Sequence, residues 1–161
     1  MELTYDNMVA FMQDYFPVYS DYGQDPATVH RMEDYFAPDL VFTGYMGFPK
    51  GLLIYPDRQA FLDFDVSHPW VYERLTPEDM TVDERRKVVF VIIKFEFVDR
   101  RTGQVLVEDR GVTQYHLVLD EQDTIKIKKL LFFPVRLVPG ALSGDDLFAK
   151  DPHLSRRGKS R

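Results

Sequence analysis

Residues 115–130, YHLVLDEQDTIKIKKL, decide the fold. An aromatic and apolar run ends at the acidic stretch 120–123, and Ile125 and Ile127 open the next run, which is the pattern of two antiparallel strands joined by a short turn. Lys126 and Lys128 alternate with these isoleucines, so the last strand has one dry face and one wet face. Upstream, the runs beginning at Trp70, Lys87 and Gln104 are separated by DERR (83–86) and RRTG (100–103), connections of hairpin length and composition. The spacing therefore predicts consecutive antiparallel strands from Trp70 to Leu137. The run VVFVIIKFEF (88–97) is apolar on both faces, so its outer face, with Val88, Phe90 and Ile92, needs a cover that a second subunit would supply.

The N-terminal third has helical period instead. Met8, Met12, Tyr15, Tyr19 and Tyr22 form one stripe of an amphipathic helix beginning near Asp6, with Pro17 predicting a kink or a break near Phe16. Residues 23–38 predict a second helix, with Asp25 as N-cap, Pro26 in the first turn, Val29, Met32 and Phe36 on the apolar face, and Pro38 as the stop. A strand over Asp39–Met46 and a Gly/Pro loop over 47–51 follow. Pro56 and Asp57 then open a short third helix carrying Ala60, Phe61 and Phe64. Periodicity is lost after Val138, which gives a single domain over 1–138 and a flexible C-terminal tail over 139–161.

The chain has 161 residues, 45% of them hydrophobic, enough for one core. A formal charge of −6 argues against nucleic-acid partners, which require a basic face. With no cysteine, thiolate metal sites, disulfides and cysteine nucleophiles are excluded, and a reducing, cytoplasmic location is the simplest expectation. The first residues lack a signal-peptide pattern, and no apolar run has membrane-spanning length. The scattered His30, His68, His116 and His153 give no metal-binding spacing, and neither a Gly-rich nucleotide loop nor G-x-S-x-G occurs. No metal and no cofactor are expected.

Helix, helix, strand, helix and then long antiparallel strands, together with MEDYFAPDLVF (32–42) and YHLVLDEQDTIKIKKL, resemble the NTF2-like superfamily, in particular its SnoaL-like and ketosteroid-isomerase-like members. The resemblance covers Asp6 to Leu137. It implies an α+β fold, a cone-shaped α+β barrel in which a curved sheet wraps the helices around a deep apolar pocket. Members include isomerases, dehydratases, cyclases and epoxide hydrolases as well as proteins without known catalysis, so fold alone does not settle function.

The resemblance also directs attention to particular residues. The carboxylate base of the isomerases would fall at Gly44 here, so that base is missing. The neighbouring Tyr45 reaches the pocket only if Gly44 makes a bulge. The oxyanion acid position falls at Tyr115, whose phenol can donate the same hydrogen bond or simply be a core aromatic. Tyr15 and Tyr19 are the helix-one candidates. His68 occupies the position where dehydratase-like members carry a histidine, with Asp14 as its candidate carboxylate partner; the plainer alternative is that His68 caps the loop before Pro69. Tyr19, Tyr45, Trp70 and Lys129 complete the expected substrate-binding set, Lys129 being either a ligand contact or a rim residue. These residues imply a cofactor-independent isomerase, dehydratase or cyclase acting on a small hydrophobic oxygenated molecule, and a homodimer formed through the sheet. The alternatives are a non-catalytic module binding a small hydrophobic ligand and a dimeric accessory subunit.

Overall fold

The first helix begins where Thr4 Oγ1 accepts a hydrogen bond from the Asn7 amide at 3.4 Å, satisfying an amide that has no partner within the helix. In the computed structural model, which describes residues 1–47 and 51–135, this helix, α1, runs over Tyr5–Tyr22. Pro17 lies inside it without ending it, so of the kink or break expected near Phe16 the break does not occur. Both Pro17 and Gln13, whose carbonyl loses its partner, lie on the exposed side, where water can take up that carbonyl. The opposite side buries Met8, Met12, Tyr15, Phe16 and Tyr19.

The expected second helix is a short 3-10 segment, Val29–Asp34, of which only Met32 is buried. Phe36, placed by periodicity on that helix, instead opens strand β1, Phe36–Gly47, whose start precedes the expected Asp39. Pro38 favours extended backbone in the residue before it, which accounts for the early end of helical structure. A short edge strand, β2 (Gly51–Tyr55), to which the sequence reading assigned no strand, begins at the last residue of the expected loop and pairs antiparallel with β1. Phe48–Lys50 of the Gly/Pro loop lie outside the described residues, as do the domain boundary at 138 and the tail. Asp57 Oδ1 accepts from the Ala60 amide at 2.8 Å and starts helix α2, Arg58–Asp65.

The four long strands follow as expected: β3 (Val71–Asp83), β4 (Val88–Asp99), β5 (Val105–Leu119) and β6 (Ile125–Val135). The six strands form one sheet in the order β2-β1-β6-β5-β4-β3, with β1 and β6 parallel and every other pair antiparallel. The architecture is α+β, and the sheet stays open, ending at β2 and β3. One face of β4, carrying Val89, Val91, Ile93, Phe95 and Phe97, joins the α1 stripe in the core. On its other face Phe90 and Ile92 are each 41% exposed, whereas Val88, expected to be exposed with them, is buried.

The β5–β6 ladder contains one irregularity with consequences for the site. His116 pairs with Lys129 and Leu117 with Ile127, so Lys128 is an extra residue in β6. The side-chain phase switches there. Ile125 and Ile127 face the core before the bulge, and Leu130 and Phe132 line the interior after it, leaving Lys129 exposed instead of on the face of Ile127.

Candidate functional site

Between α1, α2 and the inner face of the sheet lies a cavity of about 70 Å³. Most of its wall is apolar, with Phe42 from β1, Phe61 and Phe64 from α2, Phe95 from β4 and Phe132 from β6. The Phe42 and Phe61 rings stack at 4.7 Å with an interplanar angle of 12°. Two sets of polar groups interrupt this wall.

The first set joins three elements that are distant in sequence. Tyr19 from α1 places its hydroxyl 3.3 Å from Asp65 Oδ1 at the end of α2 and 3.1 Å from Glu73 Oε2 on β3. A hydroxyl has one proton to donate, so Tyr19 serves one carboxyl at a time and favours a proton on the other. Burial pushes the Asp65 carboxyl well above the ordinary carboxylate range, and the neighbouring Glu73 charge raises it further, against the Tyr19 hydrogen bond. Burial likewise pushes Glu73 up to about 7, with the Tyr19 hydrogen bond opposing. Asp65 is only 2% exposed, and its Oδ2 has no hydrogen-bond partner among the described residues.

Buried Gln24, just beyond α1, holds Glu73 in place. Its Oε1 accepts from the Glu73 amide at 2.6 Å, and its Nε2 donates to the Glu73 carbonyl at 3.0 Å. The amide side chain thus pairs with the backbone of edge strand β3 as a neighbouring strand would. One turn earlier, Ser20 Oγ accepts from the Leu75 amide at 2.9 Å.

The second set consists of Tyr15, Tyr115 and Thr113. The Tyr15 and Tyr115 rings meet edge-on at 5.6 Å, which sets the two phenols side by side. Burial raises both phenol pKa values, so both remain protonated donors at neutral pH. Thr113 lies on the same face of β5 as Tyr115, and its buried Oγ1 has no hydrogen-bond partner among the described residues.

Tyr15, Tyr19 and Tyr115 therefore meet in one cavity, while the other sequence candidates lie elsewhere. His68 is buried outside the described lining, with its ring 5.4 Å from that of Phe64 and its Nδ1 3.4 Å from Ser67 Oγ. Burial, reinforced by the Arg100 charge, lowers its pKa to about 4, so the imidazole is neutral at neutral pH. Asp14 is exposed on the far side of α1 and is not brought to His68. Gly44 makes no bulge, and Tyr45 is on the outer face, 39% exposed and stacked on Phe133 at 4.5 Å. Trp70 is half-buried before β3, its carbonyl accepting from the Arg100 amide at 3.0 Å. Lys129 is carried outward by the β6 bulge.

Asp65 and Glu73 were not singled out in the sequence, although each breaks an apolar pattern. Asp65 continues the Phe61 and Leu62 face of α2, and Glu73 has the phase of Val71 and Leu75 in β3. Among the described residues, no helix is long and apolar enough to cross a membrane.

No protein-family profile and no curated protein matches the sequence. Its structure is similar to that of a candidate SnoaL-like polyketide cyclase from Jannaschia sp. CCS1, at 13% identity and a TM-score of 0.58, covering 80% of this chain and 85% of the other. It is also similar to an NTF2-like protein from Anabaena variabilis ATCC 29413, at 17% identity, TM-score 0.57 and coverages of 84% and 95%. An NTF2-like superfamily protein from Salmonella enterica serovar Typhimurium LT2 aligns at 13% identity, TM-score 0.55 and coverages of 86% and 96%. The chain has the NTF2-like fold.

Proposed function

We propose that this protein is a cofactor-independent proton-transfer enzyme of the isomerase, dehydratase or cyclase type, acting on a small hydrophobic oxygenated molecule held in the aromatic cavity. The observation that carries this reading is the Tyr19 hydroxyl within 3.3 Å of Asp65 and 3.1 Å of Glu73 inside that cavity. A carboxyl whose pKa has risen to about 7 both gives and takes a proton readily at neutral pH, which an ordinary glutamate does not. Glu73 would exchange the proton with the substrate, Asp65 and Tyr19 would share the resulting charge, and Tyr15 and Tyr115 would donate to the substrate oxygen. In this reading the neutral, buried His68 is structural, and the acid–base work assigned to it from the sequence passes to Glu73. The same wall of rings also supports the non-catalytic alternative, in which the cavity only holds a hydrophobic ligand.

The test is α-deuteration of cyclohexanone in heavy water, followed by proton NMR. Wild-type protein is expected to accelerate exchange with a half-point near pH 7, and Glu73→Gln to return it to the buffer rate. Exchange no faster than buffer, or full exchange in Glu73→Gln, would overturn the assignment. A homodimer through the outer face of the sheet is proposed as well, supported by the exposed Phe90 and Ile92 on β4 and Phe133 on β6, the two strands that flank β5. Sedimentation over a dilution series checks it, with Ile92→Glu expected to yield monomers; a wild-type monomer at all concentrations would exclude it.

A further inference from the structure

We propose that the cavity selects small hydrophobic amines in their protonated form, the ammonium group pairing with Asp65 and Glu73 and the hydrocarbon lying against the surrounding phenyl rings. The inference rests on the cavity being a ligand site and names its ligand class; it does not depend on proton transfer.

The charge balance is one-sided. Among the described lining residues, Asp65 and Glu73 are the carboxyl groups, and no Lys, Arg or His is present to neutralise them. Any ionised state of the empty cavity is therefore negative. Two carboxyls sharing one proton carry a single negative charge, which one ammonium neutralises.

Hydrogen-bonding capacity points the same way. Asp65 Oδ2 is a buried acceptor without a donor among the described residues, on a side chain 2% exposed that lines the cavity. An ammonium brings three donors and no lone pair, which suits a site whose charged groups are acceptors. A carboxylate or phosphate ligand would place its oxygens against those of Asp65 and Glu73 instead. The walls add to this selectivity, since the electron-rich faces of aromatic rings attract cations. Thr113 Oγ1, also without a partner among the described residues, lines the same cavity as Tyr15 and Tyr115. These hydroxyls suit an oxygen elsewhere on the same molecule, so a short amino alcohol or amino ketone fits both sets of groups. A volume of about 70 Å³ accommodates on the order of five waters, or one small molecule of comparable bulk.

The experiment is an NMR titration of the labelled full-length protein at pH 7.5 with cyclohexylamine, cyclohexanol and cyclohexanecarboxylate, which share one hydrocarbon and differ in charge. The amine is expected to bind at least tenfold more tightly than the alcohol, shifting the amides of Tyr19, Asp65 and Glu73, while the carboxylate leaves them unmoved. Asp65→Asn with Glu73→Gln is expected to abolish the preference for amine over alcohol while retaining the alcohol. Equal or tighter binding of the alcohol to the wild type, absence of amine binding, or an amine preference that survives the double substitution would overturn the inference. The wild-type comparison needs no variant to fold. Cyclohexanone exchange accompanied by equal amine and alcohol affinity would remove this inference and leave the proton-transfer reading intact; amine selectivity without exchange would do the reverse.

Discussion

Glu73→Gln is expected to stabilise the protein at pH 8 relative to its effect at pH 5. In the wild type, the Glu73 pKa rises from an ordinary 4.5 to about 7 in the fold, because its carboxyl is buried. A raised carboxyl pKa means that the folded state holds the proton more tightly than the unfolded chain. The folded state is therefore undisturbed well below pH 4.5 and loses stability as pH rises from 4.5 through 7. Linkage puts the cost at about 1 kcal/mol at pH 5 and about 3 kcal/mol at pH 8. Gln is close in shape, keeps an acceptor for the Tyr19 hydroxyl and never ionises, so this cost disappears. Whatever the substitution does through packing is common to both conditions. The difference in stability change between pH 8 and pH 5 is then about 2 kcal/mol in favour of Gln, or roughly 4–8 °C in Tm for a chain of this size. Removing the Glu73 charge also relieves Asp65, whose own pKa it raises, and this acts in the same direction. Urea denaturation of both proteins at the two pH values measures the quantity. An equal stability change at pH 5 and pH 8, or a larger loss with Gln at pH 8, would refute the account of Glu73 as a desolvated carboxyl.

The remaining expectations concern the supports of the cavity. Gln24→Ala removes both hydrogen bonds that hold the Glu73 backbone and is expected to cost about 1–3 kcal/mol in denaturation, with faster hydrogen exchange at the Glu73 amide; unchanged exchange would show that Gln24 is not the clamp. A Cβ at Gly111 would lie 2.5 Å from Phe132 Cε2, so Gly111→Ala has to displace a cavity-wall ring and is expected to cost about 1–3 kcal/mol. An unaltered Tm in that variant would mean that the ring moves freely. His68, with its pKa lowered to about 4, is expected to keep a neutral imidazole at pH 5.5 by NMR. Because the unfolded chain protonates this histidine first, wild type is expected to lose stability relative to His68→Asn as pH falls from 6.5 towards 4, and a ring that titrates near 6.5 would contradict its burial.

The long strands were legible because alternation with a period of two is local: Ile125, Lys126, Ile127 and Lys128 report their faces without reference to anything else. The stripe on α1 was legible for the same reason, and it led to Tyr15 and Tyr19 as site candidates. Period-two reasoning failed at Lys129, where the bulge at Lys128 reverses the phase, and bulges depend on pairing with β5. The helical reading of residues 23–38 failed because composition and punctuation suited a helix, while β6 offered Phe36 a neighbour. In the structure Phe36 pairs with Ile127, and the Ile127 amide donates to the Tyr35 carbonyl at 2.7 Å.

The cavity's chemistry follows a different rule. Tyr19 is 46 residues from Asp65 and 54 from Glu73, so no spacing in the chain announces that they meet. The sequence alone determined the amphipathic helix, the four long strands and the tyrosines facing inward, since each depends on neighbours a few residues away. The tertiary structure decided which ionisable groups share a desolvated space: it moved His68 and Asp14 away from the cavity lining and brought Asp65 and Glu73 together. Burial and charge–charge interaction depend on distance in space, and three elements had to pack before two ordinary carboxyls shared one desolvated space.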